Sequence, residues 1–165
     1  MSFSLTDEQR QVQDTIRRVA LEKVAPRAAA IDADGAYPQD MFDLLCDLGL
    51  FTLPFPTEYG GSNSMLAACL AVEEFCRVCY NTAYLLVVQW TPFSAILAGG
   101  NDEQKKRLLP GLADGTLRMA FSTTEAQGGS DVAGINNRAT RVDGGYRLNG
   151  AKIWCTNSSV SDFVL

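Results

Sequence analysis

The sequence predicts an α+β fold, in which an amino-terminal α-helical bundle is followed by the first strands of a β-barrel- or β-sandwich-like domain. Through the first two thirds of the chain, apolar residues recur at helical spacing. From Arg118 onward, short strand-like segments are separated by glycine-rich turns. We therefore divide the chain into a helical domain, residues 1–117, and the start of a β-domain, residues 118–165.

The first helix carries a capping box, because Thr6 is followed three residues later by Gln9. Its apolar face continues to Pro26, where the missing amide hydrogen is expected to stop the helix. A second helix should end at Gly49, and the prolines and glycines that follow predict an irregular loop up to Ser62.

Two further helices, at about residues 64–79 and 81–98, complete the predicted bundle. The second is apolar nearly all round, which places it in the interior. After it, Asn101 with Gln104 caps a short basic helix that is expected to end at Pro110.

Three polar residues in these helices need an explanation. Glu73 and Glu74 lie beside an apolar face and are expected to form a solvated edge. Gln89 lies in the most apolar helix and must find a hydrogen-bond partner. Two interpretations of Gln89 are equally acceptable, a satisfied core residue or a residue that lines a ligand cavity.

Strand-like patterns cover residues 118–124, 138–142 and 146–152. The Asp-Gly-Gly sequence at residues 143–145 predicts a hairpin turn, because glycine adopts positive φ without strain. The last four residues, 162–165, are expected to form another apolar strand.

The composition excludes several classes of function. The net charge is −5, the isoelectric point is near 4.7 and the lysine and arginine residues are scattered, which argues against nucleic-acid binding. It contains no histidine, which excludes imidazole acid–base chemistry and histidine-ligated metal sites. With 47% apolar residues in 165 positions, the chain is able to bury a sizeable core.

Cysteine usage and the apolar runs indicate a cytoplasmic protein. Cys76 and Cys79 form a CxxC pair without a second ligand pair, so small buried thiols are favoured over a metal or redox role. Residues 1–6 are polar rather than an apolar signal core, which makes the cytoplasm the expected compartment. The longest apolar run, residues 83–88, is far shorter than the about 20 residues of a membrane span, so no membrane association is expected.

The most informative segment for function is FSTTEAQGGSD, residues 121–131. Gly128 and Gly129 permit positive φ and a close backbone approach. Ser130 and Asp131 then offer side-chain hydrogen bonds.

A second segment, KIWCTNS, follows at residues 152–158. On a strand, Trp154 and Thr156 would point to the same side, and the two segments would together suit a planar polar ligand. From composition alone a simpler interpretation is favoured, in which Thr123 and Thr124 are ordinary strand residues, the glycines form a turn and Trp154 is a core aromatic.

These two segments, with three others, resemble the amino-terminal half of acyl-CoA dehydrogenases. The first is similar to the family signature FxxTEPxAGSD and the second to KxWITN. The other matching segments are LTDEQ at residues 5–9, LGLFTLPFPTEYGG at 48–61 and NDEQKKRLLPGLADG at 101–115. The resemblance covers essentially the whole chain.

The resemblance implies a site for FAD. Residues 121–130 would wrap the isoalloxazine ring, with Thr124 bonded to its pyrimidine side. Trp154 would pack against the ring, with the Thr156 hydroxyl near N5, and Ser130 would also contact the acyl-CoA substrate. If the first segment is extended, either Ser122 or Thr123 faces away from the ligand. The implied cofactor-binding residues are Phe121, Thr123, Thr124, Gly129, Ser130, Trp154, Cys155 and Thr156.

The sequence departs from the family pattern at several positions. Ala126 replaces the usual proline, and Gln127 and Gly128 also differ, which puts the stiffness of this loop in doubt. Cys155 stands where a branched aliphatic residue is usual. The family's catalytic base is a glutamate in a carboxy-terminal helical domain that this chain does not contain. We assign no catalytic residue and no metal ligand, and Glu125 is expected to have a structural role in its loop.

The implied activity is FAD-dependent α,β-dehydrogenation of an acyl-CoA thioester, with electrons passed to an electron-transfer flavoprotein. The chain would be a fragment or a split subunit, inactive alone, and part of a homo- or hetero-oligomer with the missing carboxy-terminal half or a partner subunit. One alternative keeps the fold and changes the chemistry, to an acyl oxidase or a dehydrogenase of carrier-protein-bound acyl groups. Another is a non-catalytic subunit that supports a flavoenzyme partner.

Overall fold

The computed structural model describes residues 4–165, so the first three residues of the polar start at residues 1–6 lie outside the described part. The predicted capping box is confirmed, because Thr6 Oγ1 accepts from the Gln9 amide and Gln9 Oε1 accepts from the Thr6 amide. The α-helices are α1 (Asp7–Val19), α2 (Ala25–Asp34), α3 (Gln39–Asp47), α4 (Met65–Cys76), α5 (Tyr80–Gly99) and α6 (Asp102–Asp114).

The predicted stop at Pro26 is wrong. A π-helical turn, Ala20–Val24, joins α1 directly to α2, and the chain stays helical until Gly35, which has φ of +61°. Pro26 is the second residue of α2, which directly follows the π-helical turn, where the regular helical hydrogen-bond pattern is already interrupted.

The predicted end of α6 at Pro110 is also wrong. The capping box of Asn101 and Gln104 is present, but the helix continues through Pro110 to Asp114. Leu109 and Leu112, on either side of the proline, are both fully buried. Their burial offsets the missing hydrogen bond, since each leucine contributes about 1.5–3 kcal/mol when it leaves water.

The core consists of two apolar clusters that meet along α5. One lies among α1, α3, α4 and α5 and includes Phe75 and Leu86. The other lies between α5 and α6, where Phe93 stacks on Phe55 with ring centroids 3.8 Å apart. The predicted interior position of α5 is therefore confirmed.

Helix α5 also has the length and apolar composition of a membrane span, which the short run at residues 83–88 did not indicate. In its most apolar window, 44% of the residues are buried inside the protein. Within it, Gln89 is a satisfied core residue, because its Nε2 donates to the carbonyl oxygens of Leu112 and Leu117 at 3.2 and 2.7 Å.

Glu74 is buried, at 2% exposure, so the expectation of a solvated edge is wrong for this residue. Its carboxylate accepts hydrogen bonds from Arg17 (Nη2, 2.7 Å) and Gln13 (Nε2, 2.9 Å) and joins α4 to α1. The hydrogen bond and charge of Arg17 hold the pKa of Glu74 below its ordinary value, against the opposing effect of burial. Glu73 is exposed, as expected.

The expectation of buried thiols holds for Cys79 and is wrong for Cys69 and Cys76, which are exposed on α4. Because the CxxC pair spans the end of α4, only its second member points into the core.

The β part contains β1 (Met119–Ala120), β2 (Arg138–Val142), β3 (Gly145–Asn149) and β4 (Phe163–Val164). Strands β2 and β3 form the predicted hairpin, with Gly144 at φ of +78° in the turn. The strand predicted for residues 146–152 ends early, at Asn149, before Gly150 with its φ of +142°. The predicted last strand is present as β4, which pairs in parallel with β1.

The predicted strand at residues 118–124 is shortened to β1. Beyond Ala120, the Ser122 amide still donates to Leu165 O, but the carbonyls of Thr123 and Thr124 accept from Lys152 Nζ and the Ile153 amide. These two carbonyls bond to a side chain and to a loop amide instead of to a neighbouring strand. Residues 121–124 are therefore not part of a sheet.

Candidate functional site

Arg118 fixes the start of the β part against the helices. Its guanidinium lies over the Phe42 ring, 4.3 Å from the centroid, and 5.4 Å from that of Tyr37. Its amide donates to the Asp162 carboxylate at 2.8 Å, and its carbonyl accepts from the Asp162 amide at 2.9 Å. Arg118 therefore anchors the starts of both strands: it directly precedes β1, and it binds Asp162, the residue before β4.

The two signature segments lie side by side. The Ile153 amide donates to Thr124 O at 3.0 Å, and Lys152 Nζ donates to Thr123 O at the same distance. The Cys155 thiol lies 3.8 Å from Phe121 O. These contacts bring residues 121–124 against residues 152–155.

Glu125 is the buried acid of this region, at 3% exposure. Its carboxylate accepts from Lys152 Nζ (2.8 Å), the amides of Asn136 (2.8 Å) and Asn137 (3.0 Å), and Gln127 Nε2 (2.6 Å). These bonds, that of Lys152 first, lower the pKa of Glu125 to about 2. Two of these bonds reach each carboxylate oxygen, so both oxygens are occupied, which agrees with a structural role.

A cleft of about 200 Å³ lies between these segments and α5. Helix α5 supplies Tyr84, Val87, Val88 and Thr91, whose spacing places them on one helical face. The loops supply Phe121, Thr123, Thr124, Trp154 and Thr156. A second cleft, of about 320 Å³, shares Tyr84 and Thr156 with the first.

Five of the eight predicted cofactor-binding residues thus line one cleft, and Gly129, Ser130 and Cys155 do not. Gly129 packs against the Thr124 side chain, Ser130 is exposed in its loop, and Cys155 points toward Phe121 O. Ser122 is not among the residues that line the cleft, and within residues 4–165 its buried hydroxyl has no hydrogen-bond partner.

The positive φ that glycine permits is used at neither Gly128 nor Gly129. The close approach that glycine permits is present at Gly129, because an added Cβ would lie 3.1 Å from Thr124 Oγ1. Trp154 is not on a strand, since it has φ of +58° and is 84% exposed. This exposure also excludes the core-aromatic interpretation. A bulky residue at positive φ is strained, and such strain is often found at binding sites.

The chemistry of the cleft fits the edge of a flavin ring. Within residues 4–165, the hydroxyls of Thr123, Thr124 and Thr156 make no hydrogen bond to another protein group. All three residues line the cleft, together with Trp154, whose side chain is exposed. Free hydroxyls and an aromatic face are the groups that bind a planar ring with polar edges.

The sequence analysis missed Lys152 and the cleft-lining face of α5. Residues 84, 87, 88 and 91 have the i, i+3, i+4, i+7 spacing of one helical face. In a helix that is apolar nearly all round, this spacing does not identify the face that lines a site. The one signal for Lys152 in the sequence is that it is a charged residue between the apolar residues Ala151 and Ile153.

The family comparison agrees with this geometry. A family model described as "Acyl-CoA dehydrogenase, N-terminal domain" matches residues 6–116, and one for the middle domain matches residues 120–165. The chain belongs to the acyl-CoA dehydrogenase family. This confirms both the resemblance and the predicted α+β fold class.

Several members of the acyl-CoA dehydrogenase family are similar over nearly the whole chain. Benzylmalonyl-CoA dehydrogenase of Aromatoleum aromaticum is 41% identical, with 99% of this chain and 44% of the relative covered. Cyclohexane-1-carbonyl-CoA dehydrogenase of Geobacter metallireducens is 37% identical, with coverage of 98% and 43%.

A solved glutaryl-CoA dehydrogenase from Mycobacterium smegmatis, in complex with FADH2, superposes with a TM-score of 0.90 at 26% identity. The superposition covers 97% of this chain and 42% of the relative. FAD is therefore confirmed as a cofactor of the family. The chain spans less than half the length of these relatives.

Proposed function

We propose that this chain supplies the flavin-facing part of an FAD-dependent acyl-CoA dehydrogenase, which forms a double bond between Cα and Cβ of an acyl-CoA thioester. One observation carries the proposal: five signature residues meet in a cleft against α5, with three hydroxyls free. When bound, FAD would supply the acceptor for the hydride that leaves Cβ.

The residues of the cleft have distinct roles in this proposal. Thr124 and Thr156 bind the polar edge of the ring, and Trp154 covers a ring face. On the opposite wall, Val87 and Val88 exclude water from the reacting carbon atoms.

The three predicted residues outside the lining have supporting roles. Gly129 lets its loop approach Thr124, and the Cys155 thiol contacts Phe121 O and so links the two signature segments. Exposed Ser130 remains the proposed contact with acyl-CoA at the mouth of the site.

The proposed reaction needs groups from outside these residues. Glu125, the buried acid near the cleft, is fully occupied by Lys152 and its other partners and does not serve as a base. We propose that a carboxy-terminal half or a partner subunit supplies the base, within an oligomer. We further propose a cytoplasmic location and an electron-transfer flavoprotein as the electron acceptor.

The test uses the chain purified under native conditions with any polypeptide that accompanies it. We expect a flavin absorbance band that is bleached anaerobically by an acyl-CoA. Thr156→Ala should weaken FAD binding about fivefold, the effect of one lost hydrogen bond. Thr140→Ala, on the exposed hairpin, should leave it unchanged.

Three other outcomes would contradict the proposal. Hydrogen peroxide formation in air would favour an oxidase, and reaction only with a carrier-bound acyl group would favour a carrier-protein dehydrogenase. Full activity of a partner complex that contains Trp154→Ala and Thr156→Ala would favour a non-catalytic subunit.

A further inference from the structure

Lys152 lies at the centre of the contact between the two signature segments. Its ammonium donates to Thr123 O at 3.0 Å and to Glu125 Oε1 at 2.8 Å, so its two partners bracket Thr124. The next residue, Ile153, donates its amide to Thr124 O. Lys152 and Ile153 of the second segment thus bind residues 123–125 of the first.

The carboxylate of Glu125 extends this contact to a third segment. The amides of Asn136 and Asn137, just before β2, both donate to it. The Lys152–Glu125 pair therefore joins three stretches of chain that are far apart in sequence.

No sheet joins the two signature segments within residues 4–165, where β1 pairs with β4 and β2 pairs with β3. In place of a strand ladder, the backbone bond from the Ile153 amide to Thr124 O and the side-chain bonds of Lys152 connect the two segments. The Lys152 side chain is three-quarters buried and that of Glu125 is almost completely buried. A partly buried charge pair with short bonds resists displacement more than a solvated pair does.

We propose that Lys152 is a positioning residue, which sets the spacing between the Thr123–Thr124 wall and the Trp154–Thr156 wall of the cleft. Lys152 does not touch the ligand in this role. Its ammonium fixes the backbone from which Thr124 projects and the backbone that leads directly to Trp154. The effect of Lys152 on flavin binding rests on the proposed function. Its effect on the spacing of the loops does not.

The first experiment needs no cofactor. Lys152→Met keeps most of the aliphatic stem and removes the cation, and Lys106→Met, at an exposed position of α6, is the matched control. Hydrogen exchange of the Ile153 amide should be about tenfold faster or more in Lys152→Met. Exchange at Leu86, in the bundle core, should not change. Unchanged exchange at Ile153 would overturn the proposal.

The second experiment measures FAD affinity by titration calorimetry. Lys152→Met should weaken binding about tenfold or more, and Lys152→Arg should restore it to within about threefold, since a guanidinium can reach the same two acceptors. Loss of binding in both variants would indicate general damage to the loop and would contradict a positioning role.

Glu125→Gln provides an independent variant in case Lys152→Met folds poorly. It too should speed exchange at Ile153, and adding Lys152→Met to it should have less effect than in the wild type, because both changes break one contact. Full additivity of the two changes would overturn the proposal. If the wild type binds no FAD, the proposed function fails, while exchange at Ile153 still decides the role of Lys152.

Discussion

At the residue scale, Gly128 and Gly129 are adjacent glycines with different tolerance for a side chain. A Cβ at Gly128 would meet no atom within 4 Å, whereas a Cβ at Gly129 would lie 3.1 and 3.3 Å from the Oγ1 and Cγ2 atoms of Thr124. We predict that Gly129→Ala displaces Thr124 and weakens FAD binding several-fold, about 1 kcal/mol. Gly128→Ala should bind normally. Equal affinities in titration calorimetry would show that Thr124 does not bind the ring.

The ionised state of Glu125 gives a pH dependence of stability. Its pKa is lowered to about 2 in the folded chain, from about 4.3 in an unfolded one. A depressed carboxyl pKa stabilises the fold above the unfolded value, and this contribution is lost as the pH falls through the folded value. We predict that the difference in urea midpoint between wild type and Glu125→Gln is constant above about pH 5 and shrinks as the pH falls from about 4 to about 2. A difference that grows in acid would contradict this assignment.

Residue chemistry alone drew attention to the two signature segments but favoured ordinary strand and core roles for their residues. The resemblance to the family implied the binding roles of Phe121, Thr123, Thr124, Trp154 and Thr156, which line the cleft. Lys152 was not identified, because its partners lie 27 and 29 residues earlier in the chain, so no local pattern reveals them. The conformation of Trp154 was also missed, since a positive φ at tryptophan contradicts local preference.

At the scale of elements, Glu74 joins α4 to α1 and its neighbour Glu73 does not. We predict that Glu74→Ala lowers the free energy of unfolding by about 1–3 kcal/mol, because it leaves polar groups of Gln13 and Arg17 without their partner. Glu73→Ala, on the exposed side of the same helix, should change it by less than about 0.5 kcal/mol. Urea unfolding followed by circular dichroism measures both, and similar losses in the two variants would exclude a specific role for the α1–α4 contact.

At this scale, the sequence predicted the starts of helices better than their ends. Both capping boxes were predicted, because each depends on residues three positions apart. Both proline terminations were wrong, because the continuation of a helix through Pro26 or Pro110 depends on burial of residues that follow, such as Ile31 and Leu112. Local propensity does not contain that tertiary contribution.

At the scale of the whole molecule, Arg118 joins the helical bundle to the β part. We predict that Arg118→Ala speeds hydrogen exchange of the Asp162 amide by between about twofold and thirtyfold, the range of a cation–π contact. The core of α5 should keep its protection at Leu86. Arg141→Ala, on the exposed hairpin, is the matched control, and equal exchange in both variants would show that the rings of Phe42 and Tyr37 do not anchor the junction.

The two tryptophans lie in different environments, one in the helical bundle and one at the cleft. Trp90 is half-buried in the bundle, where its indole donates to Leu50 O at 3.1 Å, and Trp154 is 84% exposed at the cleft. Their fluorescence should therefore differ, with blue-shifted emission from Trp90 and red-shifted, iodide-quenchable emission from Trp154. Trp90→Phe would leave Trp154 as the single tryptophan, so that with selective excitation of tryptophan the occupancy of the cleft by a ligand and the opening of the loops can be followed in real time without any attached label.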